Sequence, residues 1–475
     1  MCYNLVRAKD GFMLNLGQYY GIWQEAMVLA WPVVLNHIFT TAMRTTDMLL
    51  MGFFGPAAVT AVGLGDVWER LVLRVGLGLG TGSIALISQE TGVEEVGREV
   101  GSSDEILTQV LLTGFVISLP FMVVGLLFSD FLIAILGAAP EVIQLGAEYL
   151  MIILAAAPFR LITLISDRSL QGTGDTRTPM AVNVFSNVVN IVLSIGLALG
   201  VGPFPEIGVV GVGWGTFVAK MVAALMYLGI FSFSFSHLSL GLPDDGWDLI
   251  IVKQLFKISL PKILQGGYQS LITFPFNALV LLFGTEAAAA YHIARRVHQQ
   301  LVAPLHRAYS TVTTIMTGRA LGMDKPFESK KITDAMLWLT AITISFGGII
   351  LFIGAPLLTG FFTEDSITLN HSINFLRALG IGAPILTLYG VLSGLLSSAG
   401  DTRTPFYGLV MSQTVFKLGL SYLLAVPVGL GLTGIFIGLV LDFIGRAGWV
   451  ARRYFSGNWA EEAKVMIDER HKNQS

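Results

Sequence analysis

The chain has 475 residues, 53% of them hydrophobic and 13% charged, with a formal net charge of -3 and a mean hydropathy of +0.70. A water-soluble globule, with about 25% charged residues, is excluded by that composition. The small net charge gives no footing for a nucleic-acid partner, and the single cysteine, Cys2, excludes an internal disulfide or a cysteine-built metal site.

Arg7 and Lys9 precede polar, aromatic sequence, not a compact apolar core. No signal-peptide layout is read, and insertion is expected to start with the first span. Stretches such as 106–128 and 335–362 carry no formal charge and exceed the roughly 20 residues that cross a bilayer. The pattern predicts twelve helices, near 22–52, 59–90, 105–128, 142–169, 179–200, 209–236, 258–283, 286–318, 332–355, 372–398, 405–426 and 434–452. The predicted class is an all-α polytopic membrane protein.

Basic residues sort by side. One set of segments holds Arg7, Lys9, Arg98, Arg177, Lys253, Lys257, Arg319, Lys325, Lys330, Lys331, Arg403, Arg452, Arg453 and Lys464. The opposite segments (53–58, 129–142, 201–208, 284–285, 356–371 and 427–433) hold none. The positive-inside rule then puts both termini in the cytoplasm of a plasma-membrane protein, in keeping with an even number of spans.

The chain also repeats itself. Phe54-Gly55-Pro56-Ala57-Ala58 returns as Phe283-Gly284-Thr285-Glu286-Ala287, and Gly174-Asp175-Thr176-Arg177-Thr178-Pro179 returns letter for letter at 400–405. The offset of about 225–230 residues is nearly half the chain. Six spans per repeat insert the same way up, which predicts two lobes related by an axis along the membrane normal. The expected division is a first lobe over 1–236, a cytoplasmic linker over 237–257, a second lobe over 258–452 and a polar tail over 453–475, read as an exposed helix.

The hexapeptide is read as architecture. Gly174 and Gly400 supply positive φ, Asp175 and Asp401 bond to nearby backbone, and Pro179 and Pro405 open the next helix. Gly172-Thr173-Gly174-Asp175 also matches an intramembrane aspartyl protease pattern, but the Tyr-Asp partner dipeptide is absent. No Walker A loop or His-Glu-x-x-His string occurs either, so neither ATP drive nor zinc chemistry has its residues and no enzyme is expected.

Ionisable residues inside the membrane are the default functional candidates. Asp47 stands fifteen residues beyond Pro32, in the outer third of the first span. It either exchanges a proton with water entering the protein or is held by Arg44, three residues earlier on the same face. In span five Asn183, Asn187, Asn190 and Ser194 share one face, with Asn190 and Ser194 at about the depth of Asp47 and Thr216 of span six beside them. These groups either bond to Asp47 and a small cation or serve as interhelical glue. Glue is favoured for Asn183. In span two Asp66 and Arg70 pair at i,i+4, which leaves Glu69 as an unpaired acid for the cavity. Span eight is basic, with Arg295, Arg296, His298, His306 and Arg307, and either lines a wet lumen or meets acids of the other half. Asp167, beside Arg168, lies too deep to share the Asp47 pocket.

Taken together these residues resemble the MATE family, the multidrug and toxic compound extrusion transporters, over about residues 25–450. The likeness rests on the Pro32-to-Asp47 spacing, the turn after span one and Gln89-Glu90-Thr91-Gly92 ending span two. The two hexapeptide turns, the Asn190 helix and Gly208-Val209-Val210-Gly211 entering span six add to it. The resemblance implies twelve helices in two lobes forming a V, no cofactor, and export of organic compounds, often cationic, in exchange for entering H⁺ or Na⁺. It also implies that Asp47 occupies the cation-coupling position, with Asn190 and Thr216 as its polar partners.

Departures from the family pattern carry information. Many members have an Asp where this chain has Ser194, and some have acids where it has Gln269 and Leu388. A nearly solitary Asp47 favours H⁺ over Na⁺, because a sodium site wants several oxygen ligands. Asn187, Glu69, Gln269, Arg295 and Arg296 are expected to line the substrate cavity, and the arginines suit an amphipathic anion or zwitterion as well as a cation. The expectation is a monomeric secondary-active antiporter working by alternating access. The alternative is a flippase for a lipid-linked or other anionic precursor.

Overall fold

The computed structural model describes residues 16–97, 103–233, 235–241 and 247–472. Cys2, Arg7, Lys9, Arg98 and the stretch Pro243–Gly246 lie outside the described residues. Twelve spanning units follow in order. The first six are α1 (Tyr20–Phe53), α2 (Pro56–Glu95), α3 (Ser103–Ala134), α4 (Pro140–Ala155 continued by Ala157–Gly172), α5 (Arg177–Leu199) and α6 (Val209–Ser232). The second six are α7 (Leu249–Leu271 continued by Thr273–Leu281), α8 (Thr285–Leu301 continued by Ala303–Gly322), α9 (Pro326–Gly360), α10 (Ser366–Ser398), α11 (Arg403–Ala425) and α12 (Leu432–Ser456). A final helix, α13, covers Asn458–His471.

Among the described residues, nine helices are apolar and long enough to cross a bilayer alone, and α4, bent by 46°, makes a tenth. The remaining two units, α7 and α8, are interrupted and carry more polar residues. Broken helices of this kind are tolerated at membrane depth where they face protein or a water-filled space. The protein is therefore an integral, multi-pass membrane protein.

Repeated sequence gives repeated backbone. Gly55 and Gly284 have φ of 84° and 106° immediately before α2 and α8, and Gly174 and Gly400 have φ of 85° and 84° before α5 and α11. Asp175 Oδ1 accepts from the backbone N–H of Arg177 and Thr178 at 3.1 and 3.0 Å. Asp401 Oδ1 accepts from Thr404 N–H at 3.0 Å, while its Oδ2 takes the Thr404 hydroxyl at 2.7 Å and Arg453 Nε at 3.0 Å. Pro179 and Pro405 sit in the first turns that follow.

The two halves meet along one side of the membrane only, the face at which α1 begins and α13 lies. On this terminal face the backbones approach closely because small residues permit it. A Cβ added at Gly92 would strike Arg319 O, and one at Gly318 or Gly322 would strike Ser88 or Gln89. Gly78 and Gly82 admit Ile263, Leu255 and Ser259 of α7 in the same way. Gln89 Nε2 donates to Ser398 O at 2.5 Å, Trp23 Nε1 donates to Ala335 O at 2.8 Å, and Arg319 pairs with Glu95. Toward the far face, hydrogen bonds, ion pairs and close contacts between the halves run out, among the described residues, near Arg74 and Ser270, which are 3.5 Å apart. The protein is thus closed at the terminal face and parted at the far one.

Two boundaries differ from the sequence reading. The linker expected over 237–257 is shorter, because Asp248 Oδ1 caps Ile250 N–H at 2.7 Å and helix α7 starts at Leu249. The tail expected as an exposed helix is a docked one. Trp459, Met466, Ile467 and Arg470 are all buried. Arg470 lies 3.4 Å from Glu90 and 3.0 Å from Gln89 of α2, and it donates to Gln254 of α7 at 3.2 Å. His471 adds a contact to Glu90 at 3.1 Å. The helix is polar in sum but amphipathic in arrangement, and its basic end finds the buried Glu90 at the junction of the two halves.

Arg470→Ala strands Glu90 in a buried site. It is expected to cost about 3–5 kcal/mol, visible as a lower thermal unfolding midpoint in detergent. An unchanged midpoint would show that α13 contributes nothing to closure.

Candidate functional site

Asp47 stands six residues before the end of α1 and Ser194 five before the end of α5. The two helices run side by side from the terminal face, so both residues reach the same depth in the parted half. Ser194 faces the Asp47 carboxyl, and Glu69, Arg44 and Asp66 are its charged neighbours. Asn190 Nδ2 donates to Thr216 Oγ1 at 3.0 Å. Gly215 lets α6 come this close, because a Cβ there would lie 2.5 Å from Ser194 Oγ.

Asp47 Oδ1, Asn190 Oδ1, Ser194 Oγ and Asn187 Nδ2 are all buried without a hydrogen-bond partner. Buried polar atoms are normally satisfied, and leaving one unpaired costs about 1–3 kcal/mol. These four stand on α1 and α5, the two helices that carry Asp47 and Ser194 to the same depth. Asn36 Oδ1, also unpartnered, sits three helical turns below Asp47 on the same face of α1. Sequence reading missed Asn36, although its eleven-residue spacing from Asp47 was the available signal.

Asn183 belongs elsewhere. Its Nδ2 donates to both oxygens of Asp167, at 2.8 and 3.0 Å, and to Pro179 O at 2.9 Å. The Tyr227 hydroxyl also donates to Asp167. This closed network is the glue inferred for Asn183, and it lies apart from Asp47.

Glu69 requires a correction. It is not an unpaired acid, because Arg160 of α4 holds it in an ion pair with both side chains largely buried. Sequence spacing could not reveal a partner ninety-one residues away on another helix. The Asp66–Arg70 pair is long, at 3.9 Å, and exposed. Arg44 is exposed and, among the described residues, makes no ion pair with Asp47, so the permanent clamp weighed from sequence does not form here.

Below this seam the cleft between the halves turns basic. Arg307 of α8 is exposed to solvent, and its charged neighbours are Arg168, Arg44 and Arg74, from three other helices. Arg168 is tethered to Thr311 Oγ1 and Gln171 Oε1, each at 3.0 Å. Gln269 is half-buried on α7 and Arg296 is exposed on α8, whereas Arg295 faces Tyr291 and Lys417 within the second half. Among the described residues no three His, Cys, Asp or Glu side chains gather as a divalent-metal site. Two clefts open on the outer surface of the second half, and neither includes Asp47 or its neighbours.

This geometry has relatives. The family model described as MatE matches residues 32–195 and 261–423, one stretch in each half. The chain is 26% identical over 458 residues to a "Probable multidrug resistance protein NorM" of Thermotoga maritima, covering 94% of this chain and 95% of that one. It is 23% identical over 438 residues to a "Probable multidrug resistance protein YoeA" of Bacillus subtilis, covering 89% and 91%. Among solved structures, an "outward-facing conformation of a multidrug resistance MATE family transporter of the MOP superfamily" matches with a TM-score of 0.82 at 21% identity, over 94% of this chain and 100% of that one. A MOP superfamily transporter from Pyrococcus furiosus, described by the "reverse polarity" of its binding pocket, matches at 0.83 and 20% identity, over 96% and 99%. At these identities the structural matches speak for the fold alone.

Arg160→Met is expected to strand Glu69 and to cost about 3–5 kcal/mol, whereas the double variant with Glu69→Leu should regain most of that loss. Thermal unfolding of the three proteins tests this, and additive losses would mean that the pair is not coupled.

Proposed function

Because the chain belongs to the MATE family of membrane transporters and is no enzyme, we propose that it exports amphipathic organic compounds by secondary-active antiport. The reading includes multidrug efflux, the activity named for the relatives in Thermotoga maritima and Bacillus subtilis. The coupling ion is H⁺, in preference to Na⁺. Helices α1–α6 and α7–α12 act as the two moving lobes of a single functional chain. With the basic segments inside, the terminal face is cytoplasmic and the conformation described above opens outward.

The observation that carries this reading is the unsatisfied seam around Asp47. A proton from outside would turn the Asp47 carboxylate into a donor that can use Ser194 Oγ, which faces it, as acceptor, with the unpartnered Asn190 Oδ1 one turn before Ser194 on the same helix. Neutralisation also lets the seam shed water and tighten α1 against α5, with Pro32 as a bend point. Proton and substrate must then favour opposite states of the lobes, since a ligand shifts such an equilibrium only through differential affinity. Thr216, whose hydroxyl accepts from Asn190 Nδ2, belongs to the same coupling group.

A second reading has its own support. The arginines in the cleft, Arg44, Arg74, Arg168 and Arg307, suit a lipid-linked or other anionic precursor moved by a flippase.

The test is efflux from proteoliposomes under ΔpH or ΔNa⁺ imposed separately. Wild-type protein is expected to respond to ΔpH, and Asp47→Asn to fold normally but fall to the leak rate. Undiminished ΔpH-driven efflux by Asp47→Asn would remove that side chain from the mechanism, and a response to ΔNa⁺ alone would replace the coupling ion.

A further inference from the structure

The second half contains a charged group that export by way of Asp47 does not use. Within its membrane-crossing helices, away from their ends, the second half places Lys262, Arg295, Arg296, Arg307, Arg377, Lys417 and Arg446 against one acid, Asp442. Three of these cations converge. The charged neighbours of Lys417 are Asp442, Arg446 and Arg295. Asp442 pairs with Arg446, both of them buried. Among the described residues, Arg295 and Lys417 make no ion pair of their own, an expensive arrangement at membrane depth unless something else supplies negative charge.

The backbone is adapted to this arrangement. Residues Gln413–Leu420 of α11 form a π-helix, a winding that is rare and frequent at functional sites. Lys417 Nζ lies 4.7 Å from the centre of the Phe276 ring. The Arg446 guanidinium lies 5.3 Å from Phe443 and 5.8 Å from Tyr389. Tyr291 meets Phe276 at 5.2 Å and borders Arg295.

Independent of charge, the polar atoms here are unfinished. Arg446 Nε, Asp442 Oδ1 and Gln413 Oε1 have no hydrogen-bond partner, although these residues are only 4%, 1% and 5% exposed. His306 has both Arg307 and Arg446 as charged neighbours, which joins this group to the basic cleft between the lobes.

We propose that Lys417, Arg446 and Arg295 form a substrate subsite in the second lobe that binds the anionic group of an aromatic organic acid, a carboxylate or sulfonate. The guanidinium and ammonium supply the charge; Phe276 is fully buried behind Lys417, and the edges of Tyr291, Tyr389 and Phe443, 4%, 5% and 7% exposed, offer the apolar border that a ligand's ring system would meet. Asp442 limits the excess charge and keeps Arg446 oriented. The proposal rests on the export reading, but it concerns binding and needs no ion gradient.

The experiment is equilibrium binding of fluorescein, an anionic dye, and rhodamine 6G, a cationic ester, by fluorescence anisotropy. The full chain is held in phosphatidylcholine nanodiscs. Fluorescein should bind more tightly than rhodamine 6G. Lys417→Gln should weaken fluorescein about tenfold or more while leaving rhodamine 6G within about twofold, as expected for loss of one close charge pair. Lys417→Arg should restore fluorescein binding, and Asp442→Asn should strengthen it.

Thermal unfolding checks that each variant is folded. Arg295→Gln replaces Lys417→Gln should the latter fail that check. Equal affinity for the two dyes, or a Gln variant that binds fluorescein like wild type, overturns the subsite. Displacement of fluorescein by phosphatidylglycerol in the discs overturns the aromatic-acid assignment in favour of a lipid headgroup. Since no gradient is applied, a failure of H⁺ coupling at Asp47 leaves this result standing, and a failure here leaves coupling untouched.

Discussion

Hydrocarbon cannot solvate charge, and nearly every feature of this protein follows from how it meets that constraint. The outer faces of the spans are surrendered to lipid through residues such as Phe128, Phe274, Phe346 and Ile353, all more than half exposed. Polar groups are drawn inward, where each must find a partner on another helix or a route to water. Asp167 finds Asn183 and Tyr227, Glu69 finds Arg160, and Glu90 finds Arg470. Other buried polar atoms also lack partners, among them Ser166 Oγ, Gln265 Oε1 and His298 Nε2, but around Asp47 and around the Asp442–Arg446 pair they coincide with a charged side chain.

The same constraint shapes the closed face. Where two lobes press together in lipid there is little hydrophobic gain, because tails and side chains are equally apolar. Close approach and hydrogen bonding must do the work instead. Gly92, Gly318 and Gly322 let backbone and small side chains touch, and Gln89, Arg319 and the docked helix α13 add polar ties across the joint. Apolar contacts join the halves as well, with Leu29 and Val33 packed in one cluster with second-half residues and Leu255 and Ile258 in another with first-half ones.

Much of the architecture was legible before any coordinates. Spans and the repeat are linear properties: an apolar run of sufficient length must cross, and a duplicated string must fold twice. The Asp47, Ser194, Asn190 and Thr216 grouping was also accessible, since helix periodicity and depth along parallel spans can be counted from the chain. What failed was anything requiring a partner from another helix. Glu69 was assigned as unpaired because Arg160 is invisible from α2. The tail was assigned as exposed because its composition is polar, whereas burial depends on which face Trp459, Met466 and Arg470 present. Lys417, Asp442 and Arg446 were passed over for the same reason, as two segments of α11 and α12 that look unremarkable singly become a charged group only when the π-helical turn and α12 meet.

By itself, then, the sequence determined an all-helical body of apolar spans, its internal repeat and the turns that punctuate it. These depend on local hydrophobicity and on residues with narrow backbone preferences, such as Gly174 and Pro179. Tertiary structure alone decided which charges are neutralised, which polar atoms stay unsatisfied and where the lobes touch. Those outcomes depend on distances of a few ångströms between helices far apart in the chain, and electrostatic and hydrogen-bond energies change steeply over that range.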